Sequence, residues 1–337
     1  MNYLIFFIIN ILLITSINYV QHKLNVLIDI NLKHKIYDKN KVPLSGGLYI
    51  LASIFIYKFI FNLNIDINVV VILVSIFILG FFSDTKPNFK PVIRLLLQLF
   101  LIILLIIFCD LNINKTNIFF IDKYLSIYYF NLIFTSLCII VYLNGSNFVD
   151  GVNTNLVGYS IIVLIFISNF ETQFELNILL LIMVVFYLFN LFGKCFLGDN
   201  GVYIISILMS YIVINTFNLN SINPIFAINL LWYPAFENLF SIIRRFVYNN
   251  KVDEADKKHL HSLLYLFLNK LKLNKIITNS LTGFTICSFN LISIFISFKY
   301  MNNNQILISI ITINILIYLL VYFKLLNILS TRSFSNK

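Results

Sequence analysis

Eleven apolar runs, separated by short polar segments, dominate this chain of 337 residues. Most of them are about 18 residues long, the length at which an α-helix crosses the hydrocarbon core of a membrane. Of all residues, 60% are hydrophobic and only 11% are charged, whereas about a quarter of a soluble globular domain is charged. The sequence therefore predicts an all-α polytopic integral membrane protein, a single domain over 1–337 with about 11 transmembrane helices. The predicted spans are 3–20, 46–62, 66–83, 92–109, 126–143, 152–170, 175–193, 200–216, 223–243, 280–299 and 305–326.

The lysines and arginines are distributed unevenly between the two sides that these spans define. Only four of the 24, Lys58, Lys115, Lys123 and Lys299, fall on one side, which leaves 20 on the other. Because basic residues stay preferentially in the cytoplasm, the basic side is predicted to be cytoplasmic. The N-terminus is then outside and the C-terminus is cytoplasmic. The predicted cytoplasmic segments are 21–45, 84–91, 144–151, 194–199, 244–279 and the tail after 326.

Five polar islands interrupt the apolar pattern, and all of them fall on the predicted cytoplasmic side. They are Pro43–Gly47, Ser83–Asp84, Asn144–Asn155, Phe196–Gly201 and Arg244–His261. Lipid cannot satisfy an irregular backbone or an ionised carboxylate, so such islands persist where the chain meets water or a polar ligand. Their common side predicts one composite site at the cytoplasmic membrane surface.

Single members of this set have simpler explanations. Asp84 alone is readily explained as a solvated residue at a helix end, and Asp199, between two glycines, as part of an ordinary turn. Glu237 lies inside an apolar run, where an unpaired carboxylate is costly. A structural ion pair with Arg244 or Arg245 is the favoured explanation for it.

The residue types suit a metal ion and phosphate groups. Asp84, Asp150 and Asp199 can converge on one Mg²⁺, which takes oxygen ligands and often shares its shell with substrate phosphates. Amides such as Asn144 and Asn147 suit a nucleoside or a sugar. The sequence has neither a G-x-x-x-x-G-K-[ST] loop nor a G-x-G-x-x-G motif, so ATP-driven and Rossmann-type functions lack support. The pattern favours phosphoryl transfer between a water-soluble donor and a lipid acceptor.

Five motifs run along most of the chain in a recognisable order. They comprise Pro43, Gly46 and Gly47; Gly80, Asp84, Pro91, Arg94 and Gln98; Asn144, Asn147, Asp150, Gly151, Asn153 and Leu156; Phe196, Gly198, Asp199 and Gly201; and Arg244, Arg245, Asp256, Lys257, His259 and His261. In this order the chain resembles the polyprenyl-phosphate N-acetylhexosamine-1-phosphate transferases, glycosyltransferase family 4. Each motif alone is weak, and the ordered set is specific.

The resemblance implies that a UDP-N-acetylhexosamine donates sugar 1-phosphate to undecaprenyl phosphate and that UMP is released. It implies a multi-pass protein of the bacterial inner (cytoplasmic) membrane, in contact with membrane lipid, with its active site facing the cytoplasm. A homodimer is compatible with this interpretation, and no nucleic acid is involved. The cofactor would be Mg²⁺, with Mn²⁺ as an alternative. The implied residues are Asp84, Asp150 and His259 for catalysis; Asp199, Asp84 and Asp150 for the metal; and Asn144, Asn147, Asn153, Arg245, His261 and Lys41 for substrate.

Two departures from the family pattern bear on this interpretation. Ser83 stands where the family usually has an aspartate, and Ser262 follows His-Leu-His where the peptidoglycan branch has three histidines. The second departure favours the branch that starts O-antigen, common-antigen or capsule glycans, with UDP-GlcNAc or a 6-deoxy relative as donor. The alternatives are a membrane transporter, a CDP-alcohol phosphotransferase and a homologue that Ser83 has made inactive.

Overall fold

The computed structural model describes residues 3–29, 41–61, 66–86, 88–170, 176–219, 222–247 and 258–330. Within them lie 13 α-helices, one 3-10 helix and two short strands. The α-helices are α1 (Tyr3–Leu24), α2 (Gly46–Phe61), α3 (Ile67–Thr85), α4 (Pro91–Phe108), α5 (Phe119–Leu125), α6 (Tyr128–Val149), α7 (Asn155–Ile167), α8 (Leu176–Leu191), α9 (Gly198–Asn218), α10 (Pro224–Val247), α11 (Leu260–Leu268), α12 (Lys275–Lys299) and α13 (Asn304–Ser330). The 3-10 helix is Asn269–Leu271, and strands β1 (Ile28–Asp29) and β2 (Val42–Pro43) pair antiparallel.

Eight helices in the described part of the chain are long and apolar enough to cross a membrane, namely α1, α3, α4, α6, α9, α10, α12 and α13. Helices α2, α7 and α8 are apolar but shorter. This composition is consistent with an all-α polytopic membrane protein. The predicted spans fall on these eight longer and three shorter helices, whereas the count of 11 crossings and the orientation of the termini stay predictions.

Two of the predicted cytoplasmic segments are largely helical where the structure describes them. Most of the predicted loop 144–151 is helical because α6 continues to Val149. The predicted loop 244–279 contains the end of α10, all of α11 and the start of α12. Hydropathy marks where an apolar run ends, whereas the backbone hydrogen bonds of a helix can continue past that point into polar residues. Asp150 illustrates this, since its backbone N–H still donates to the carbonyl of Ser146 one turn earlier, at 3.0 Å.

Helix α9 lies at the centre of the fold. It packs against α2, α3 and α6, and 94% of its most apolar stretch is buried inside the protein. A helix that is apolar on all sides is stable only when it is surrounded, so its neighbours form a ring about it. Outside this ring α10 packs against α6, and α12 packs against α7. The start of α9 is therefore held at a defined place by several helices at once.

Helix α10 contains a proline in its interior, and another helix compensates for the lost hydrogen bond. Pro234 has no N–H, so the carbonyl of Leu230, four residues earlier, loses its usual helical donor. The hydroxyl of Tyr159 in α7 donates to that carbonyl at 2.7 Å. Both Tyr159 and Leu230 are fully buried, where an unpaired carbonyl would be costly. The contact thus joins α7 to α10.

Replacing this hydroxyl should destabilise the protein. We expect Tyr159→Phe to lower the free energy of unfolding by about 1–3 kcal/mol, because the Leu230 carbonyl is left buried without a donor. Reversible SDS denaturation in mixed micelles would measure the loss. Tyr129→Phe is the matched control, since Tyr129 is 74% exposed. Equal stability of Tyr159→Phe and the control would contradict the role given to this hydrogen bond.

Candidate active site

The carboxylate of Asp84 receives the first backbone N–H groups of α9. Asp84 lies in the last turn of α3 and accepts hydrogen bonds from the N–H of Asp199 at 2.9 Å and of Asn200 at 3.1 Å. The first N–H groups of a helix have no partner within the helix, and the helix dipole favours a negative charge near them. Leu197, which precedes α9, provides no side-chain cap. Asp84 therefore caps α9 from a neighbouring helix.

Asn200 connects this cap to the glycine-rich segment before α2. Its side-chain amide donates to Asp84, and its side-chain oxygen accepts the N–H of Gly47 at 2.8 Å. Asn200 is fully buried. Beside it the N–H of Phe196 donates to the carbonyl of Pro43 at 2.9 Å. The islands at 43–47, 83–84 and 196–201 thus form one hydrogen-bonded unit.

Asp199 lies in the first turn of α9, and one of its oxygens has three donors. Oδ2 accepts from Arg94 at 3.2 Å, from the hydroxyl of Tyr203 at 3.4 Å and from the hydroxyl of Ser83. Arg94 also donates to the Ser83 oxygen at 3.2 Å. Ser83 therefore acts as a hydrogen-bond donor to Asp199. Within the described residues, no protein group donates to Oδ1 of Asp199.

Asp150 follows the last residue of α6 and is close enough to Asp84 and Asp199 for their charges to affect its pKa. Desolvation raises the pKa of Asp150 well above its ordinary value, and the negative charges of Asp199 and Asp84 raise it further. No hydrogen-bond donor or cation of the described chain pairs with its carboxyl group. A carboxyl group in this setting is suited to bind a cation that neutralises the surrounding charge.

The predicted three-aspartate metal centre is not preassembled. No group of three or more His, Cys, Asp and Glu side chains in the described part of the chain is placed to hold a metal ion. The physical reason is that Asp84 is turned into the start of α9, where both of its oxygens accept hydrogen bonds. Mg²⁺ is commonly bound by one or two carboxylates together with substrate phosphates. The carboxyl group of Asp150 and Oδ1 of Asp199, which have no donor among the described residues, are the acceptors left for such a set.

A small polar pocket lies beside Asp150, and its enclosed space holds about one water molecule. Acidic, amide and aromatic side chains surround it, and its lining residues are Asp150, Gly151, Val152, Asn153, Asn190, Phe196 and Asn279. Of the predicted substrate-binding amides, Asn153 is in this lining, whereas Asn144 and Asn147 lie on α6 outside it. The pocket offers acid and amide groups to a polar ligand, and a ligand larger than water would need its walls to move apart.

The turn that forms one wall of this pocket is strained and held from both sides. Thr154 has a left-handed backbone, with φ +68°, which is unfavourable for a β-branched residue. Its N–H donates to Asn190 at 2.6 Å, and the N–H of Asn153 donates to Asn279 at 2.7 Å. Asn190 and Asn279 lie on α8 and α12, so two helices determine the shape of this turn. Sequence analysis had assigned neither amide to the site.

The histidine motif packs against the aspartate motif. The His259 and His261 rings are parallel within 5° at 5.6 Å, and the Phe148 ring lies 4.9 Å from that of His259. The guanidinium of Arg245 lies 5.5 Å from the centre of the Phe148 ring. At Gly151 the His261 ring approaches so closely that there is no space for a Cβ atom. Two histidines and an arginine are thus held next to Asp150.

Other predicted positions are not part of this cluster as described. Lys41 is exposed at the start of β2 and makes no hydrogen bond or ion pair with the acidic residues above, as far as the structure describes the chain. Asp256 and Lys257 lie outside the described residues. Of the residues that sequence analysis assigned no role, Asn200 contributes most. Its only sequence signal is an amide next to the predicted acid Asp199, in a turn flanked by glycines.

Comparison with known proteins agrees with this arrangement. Residues 66–217 match the family model described as glycosyl transferase family 4. This match supports membership of that family. The family is one of polyprenyl-phosphate sugar-1-phosphate transferases, with a sugar-phosphate donor and a lipid acceptor in the membrane. The matched stretch contains Asp84, Asp150 and Asp199 and ends before the two histidines. No curated protein matches the chain.

The cap on α9 should contribute measurably to stability. We expect Asn200→Ala to lower the free energy of unfolding by about 1–3 kcal/mol, because the buried N–H of Gly47 loses its acceptor and Asp84 loses a donor. SDS denaturation in mixed micelles would measure the change. Asn169→Ala, at an exposed asparagine after α7, is the matched control. A loss no larger than that of the control would exclude Asn200 as the link between the islands.

Proposed function

We propose that this protein transfers N-acetylhexosamine 1-phosphate from a UDP-sugar to undecaprenyl phosphate and releases UMP. The observation that carries the proposal is the meeting of the acid, amide and histidine motifs around Asp150, in a helical protein whose residues 66–217 match a transferase family. The acids suit a metal–diphosphate complex, the pocket amides suit a nucleoside, and the apolar helices give access to a lipid acceptor.

We propose that the nucleoside binds beside Asp150, where the small pocket would have to widen to admit it. Phe196 provides an aromatic face and Asn153 provides an amide, which together suit a flat polar base. Next to the pocket, His261 lies against Gly151, and Arg245 lies over Phe148. These cationic or potentially cationic groups would hold the phosphates of the donor. Asn144, Asn147 and Lys41 remain proposed substrate-binding residues, although they do not line this pocket.

Asp199 and Asp150 are the proposed ligands of Mg²⁺, with Mn²⁺ as an alternative. When bound there, the metal would neutralise charge on the diphosphate, which is its main contribution in phosphoryl transfer. Asp84 supports this set by fixing the first turn of α9, in which Asp199 lies. Arg94 and Ser83 hold Oδ2 of Asp199 and leave its Oδ1 to face a ligand.

The proposed reaction is a direct displacement at phosphorus. An oxygen of the lipid phosphate bonds to the sugar-linked phosphorus of the donor, and the bond from that phosphorus to the UMP oxygen breaks. Phosphomonoesters have a second pKa of about 6, so the lipid phosphate is largely ionised near neutral pH. A strong general base is therefore not required, and His259 would serve mainly to bind and neutralise phosphate charge. Positioning and charge neutralisation supply most of the catalysis.

The setting of the reaction is proposed from the charge distribution and from the histidine motif. The basic segments support an active site at the cytoplasmic face of a bacterial inner membrane. The His-Leu-His-Ser262 sequence favours the branch that starts O-antigen, common-antigen or capsule glycans, with UDP-GlcNAc or a 6-deoxy relative as donor. Membrane lipid surrounds the helices, and a homodimer is compatible with this arrangement.

A donor screen tests the proposed activity directly. Purified protein, Mg²⁺ and undecaprenyl phosphate are incubated with radiolabelled UDP-GlcNAc, UDP-GalNAc or a UDP-6-deoxy-N-acetylhexosamine. We expect labelled lipid and an equal amount of UMP with at least one donor, and loss of both products when the metal is chelated. Absence of labelled lipid with every donor would refute the transferase proposal.

Asp199 is the most informative single position in that assay. Asp199→Asn keeps the size of the side chain and removes its charge, so we expect turnover to fall by at least on the order of 100-fold. Asp110→Asn, at an exposed aspartate after α4, should retain activity and serves as the matched control. Near-normal turnover of Asp199→Asn would remove the proposed metal ligand.

Substitutions at Ser83 test whether a serine at this position, in place of an aspartate, changes metal binding. Ser83→Asp adds a negative charge beside Asp199, so we expect the Mg²⁺ concentration for half-maximal activity to fall several-fold. Ser83→Ala removes the hydroxyl without adding charge and should not produce that decrease. An unchanged metal dependence in Ser83→Asp would contradict this expectation. Activity that appears only in Ser83→Asp would favour the inactive-homologue alternative.

A further inference from the structure

Glu237 is a buried carboxylate to which the proposed mechanism gives no role. It lies in α10, and none of its surface is exposed. Such a group is costly inside a membrane protein unless it is paired and hydrogen-bonded. Sequence analysis favours an arginine partner, but in the structure the carboxylate pairs with His259, whose Nδ1 lies 2.9 Å from Oε1. The other oxygen, Oε2, accepts the hydroxyl of Tyr318 at 2.6 Å.

The contacts of Glu237 leave its carboxylate little freedom to turn. Tyr318 comes from α13, whereas His259 immediately precedes α11, so the contacts join three parts of the fold. The Tyr318 ring is itself fixed by edge-on contacts with Phe236 and Phe240, at 5.0 and 5.5 Å. With one oxygen held by Tyr318, the other is directed at the histidine.

The carboxylate selects which nitrogen of His259 carries a proton. A carboxylate accepts hydrogen bonds only, so the nitrogen facing it must bear hydrogen in the neutral and in the charged ring alike. Nδ1 of His259 is therefore the protonated nitrogen, and Nε2 is the nitrogen left for a ligand. Phe148 and His261 stack on this ring and restrict its rotation.

We propose that Glu237 is a positioning residue, which holds His259 with Nδ1 protonated so that Nε2 is presented to the phosphates of the donor. The role of Nε2 rests on the proposed function, whereas the placement of the proton does not. Tyr318 supports Glu237 in this role. The arrangement also accounts for an acid deep in an apolar helix, because its two oxygens are both paired.

Nitrogen NMR on the ligand-free protein tests the proton placement without any assay of activity. The chain has only four histidines, His22, His34, His259 and His261, and selective ¹⁵N labelling makes their rings observable. The signals of His259 are assigned as those lost in His259→Gln. We expect a protonated Nδ1 on His259 in the wild-type protein. A ring with a bare Nδ1 and a protonated Nε2 would overturn the proposal.

Two substitutions at Glu237 show whether the carboxylate is the cause. Glu237→Gln retains an oxygen that accepts from Nδ1 and an amide that donates to Tyr318, so it should keep the wild-type pattern. Glu237→Ala removes the acceptor and should shift His259 towards a mixture of tautomers. Tyr49→Phe, which removes a buried hydroxyl that is hydrogen-bonded to Asn10, is the matched control and should leave His259 unchanged. Identical His259 signals in Glu237→Ala and wild type would refute the role of Glu237.

The donor assay provides the functional arm. We expect the KM for the UDP-sugar to rise about tenfold in Glu237→Ala and by less than about threefold in Glu237→Gln. A KM within twofold of wild type in folded Glu237→Ala would show that His259 needs no positioning. If the wild-type protein shows no transfer with any donor, the proposed function fails, and the NMR result still decides the placement of the proton.

Discussion

The capping of α9 by Asp84 is the interaction on which the arrangement of the candidate site depends. Helix α9 is surrounded by other helices, and its first N–H groups have no acceptor within the helix. A carboxylate from α3 supplies the missing acceptors, and Asn200 extends the contact to Gly47. Because Asp199 lies in that same turn, its position relative to the membrane helices is determined by the cap. Asp199 thus lies in the same short segment whose backbone the cap holds in place.

The part of the site around Asp150 is held by a different set of hydrogen bonds. Between α6 and α7 the chain makes a turn in which Thr154 is strained, and asparagines from two other helices hold it. Amides suit this task inside a membrane protein, because each can satisfy a backbone group without bringing a charge into an apolar surrounding. Asp150 stands at the edge of this turn, next to the histidines and within reach of the charges of Asp84 and Asp199. The two halves meet at its carboxyl group.

Much of the fold could be predicted because the apolar runs are long and the membrane allows few backbone solutions. The order of the motifs likewise identified segments that lie together wherever the structure describes them. The extension of α6 past Asn144 could not be predicted, because hydropathy does not detect a helix that continues into polar residues. Asn200 was missed because an amide between an acid and a glycine is typical of any turn. Glu237 was assigned the wrong partner because His259 is 22 residues further along the chain, whereas Arg244 and Arg245 are nearer in sequence.

The hydrogen bond from Tyr159 to Leu230 couples the two sides of the candidate site. It joins α7, which begins beside the pocket, to α10, which carries Glu237 and Arg245. Sliding one helix along the other would leave a carbonyl unpaired in the protein interior, so the hydrogen bond opposes that movement. A ligand that widens the pocket by shifting α7 would therefore have to shift α10 as well, or break this hydrogen bond.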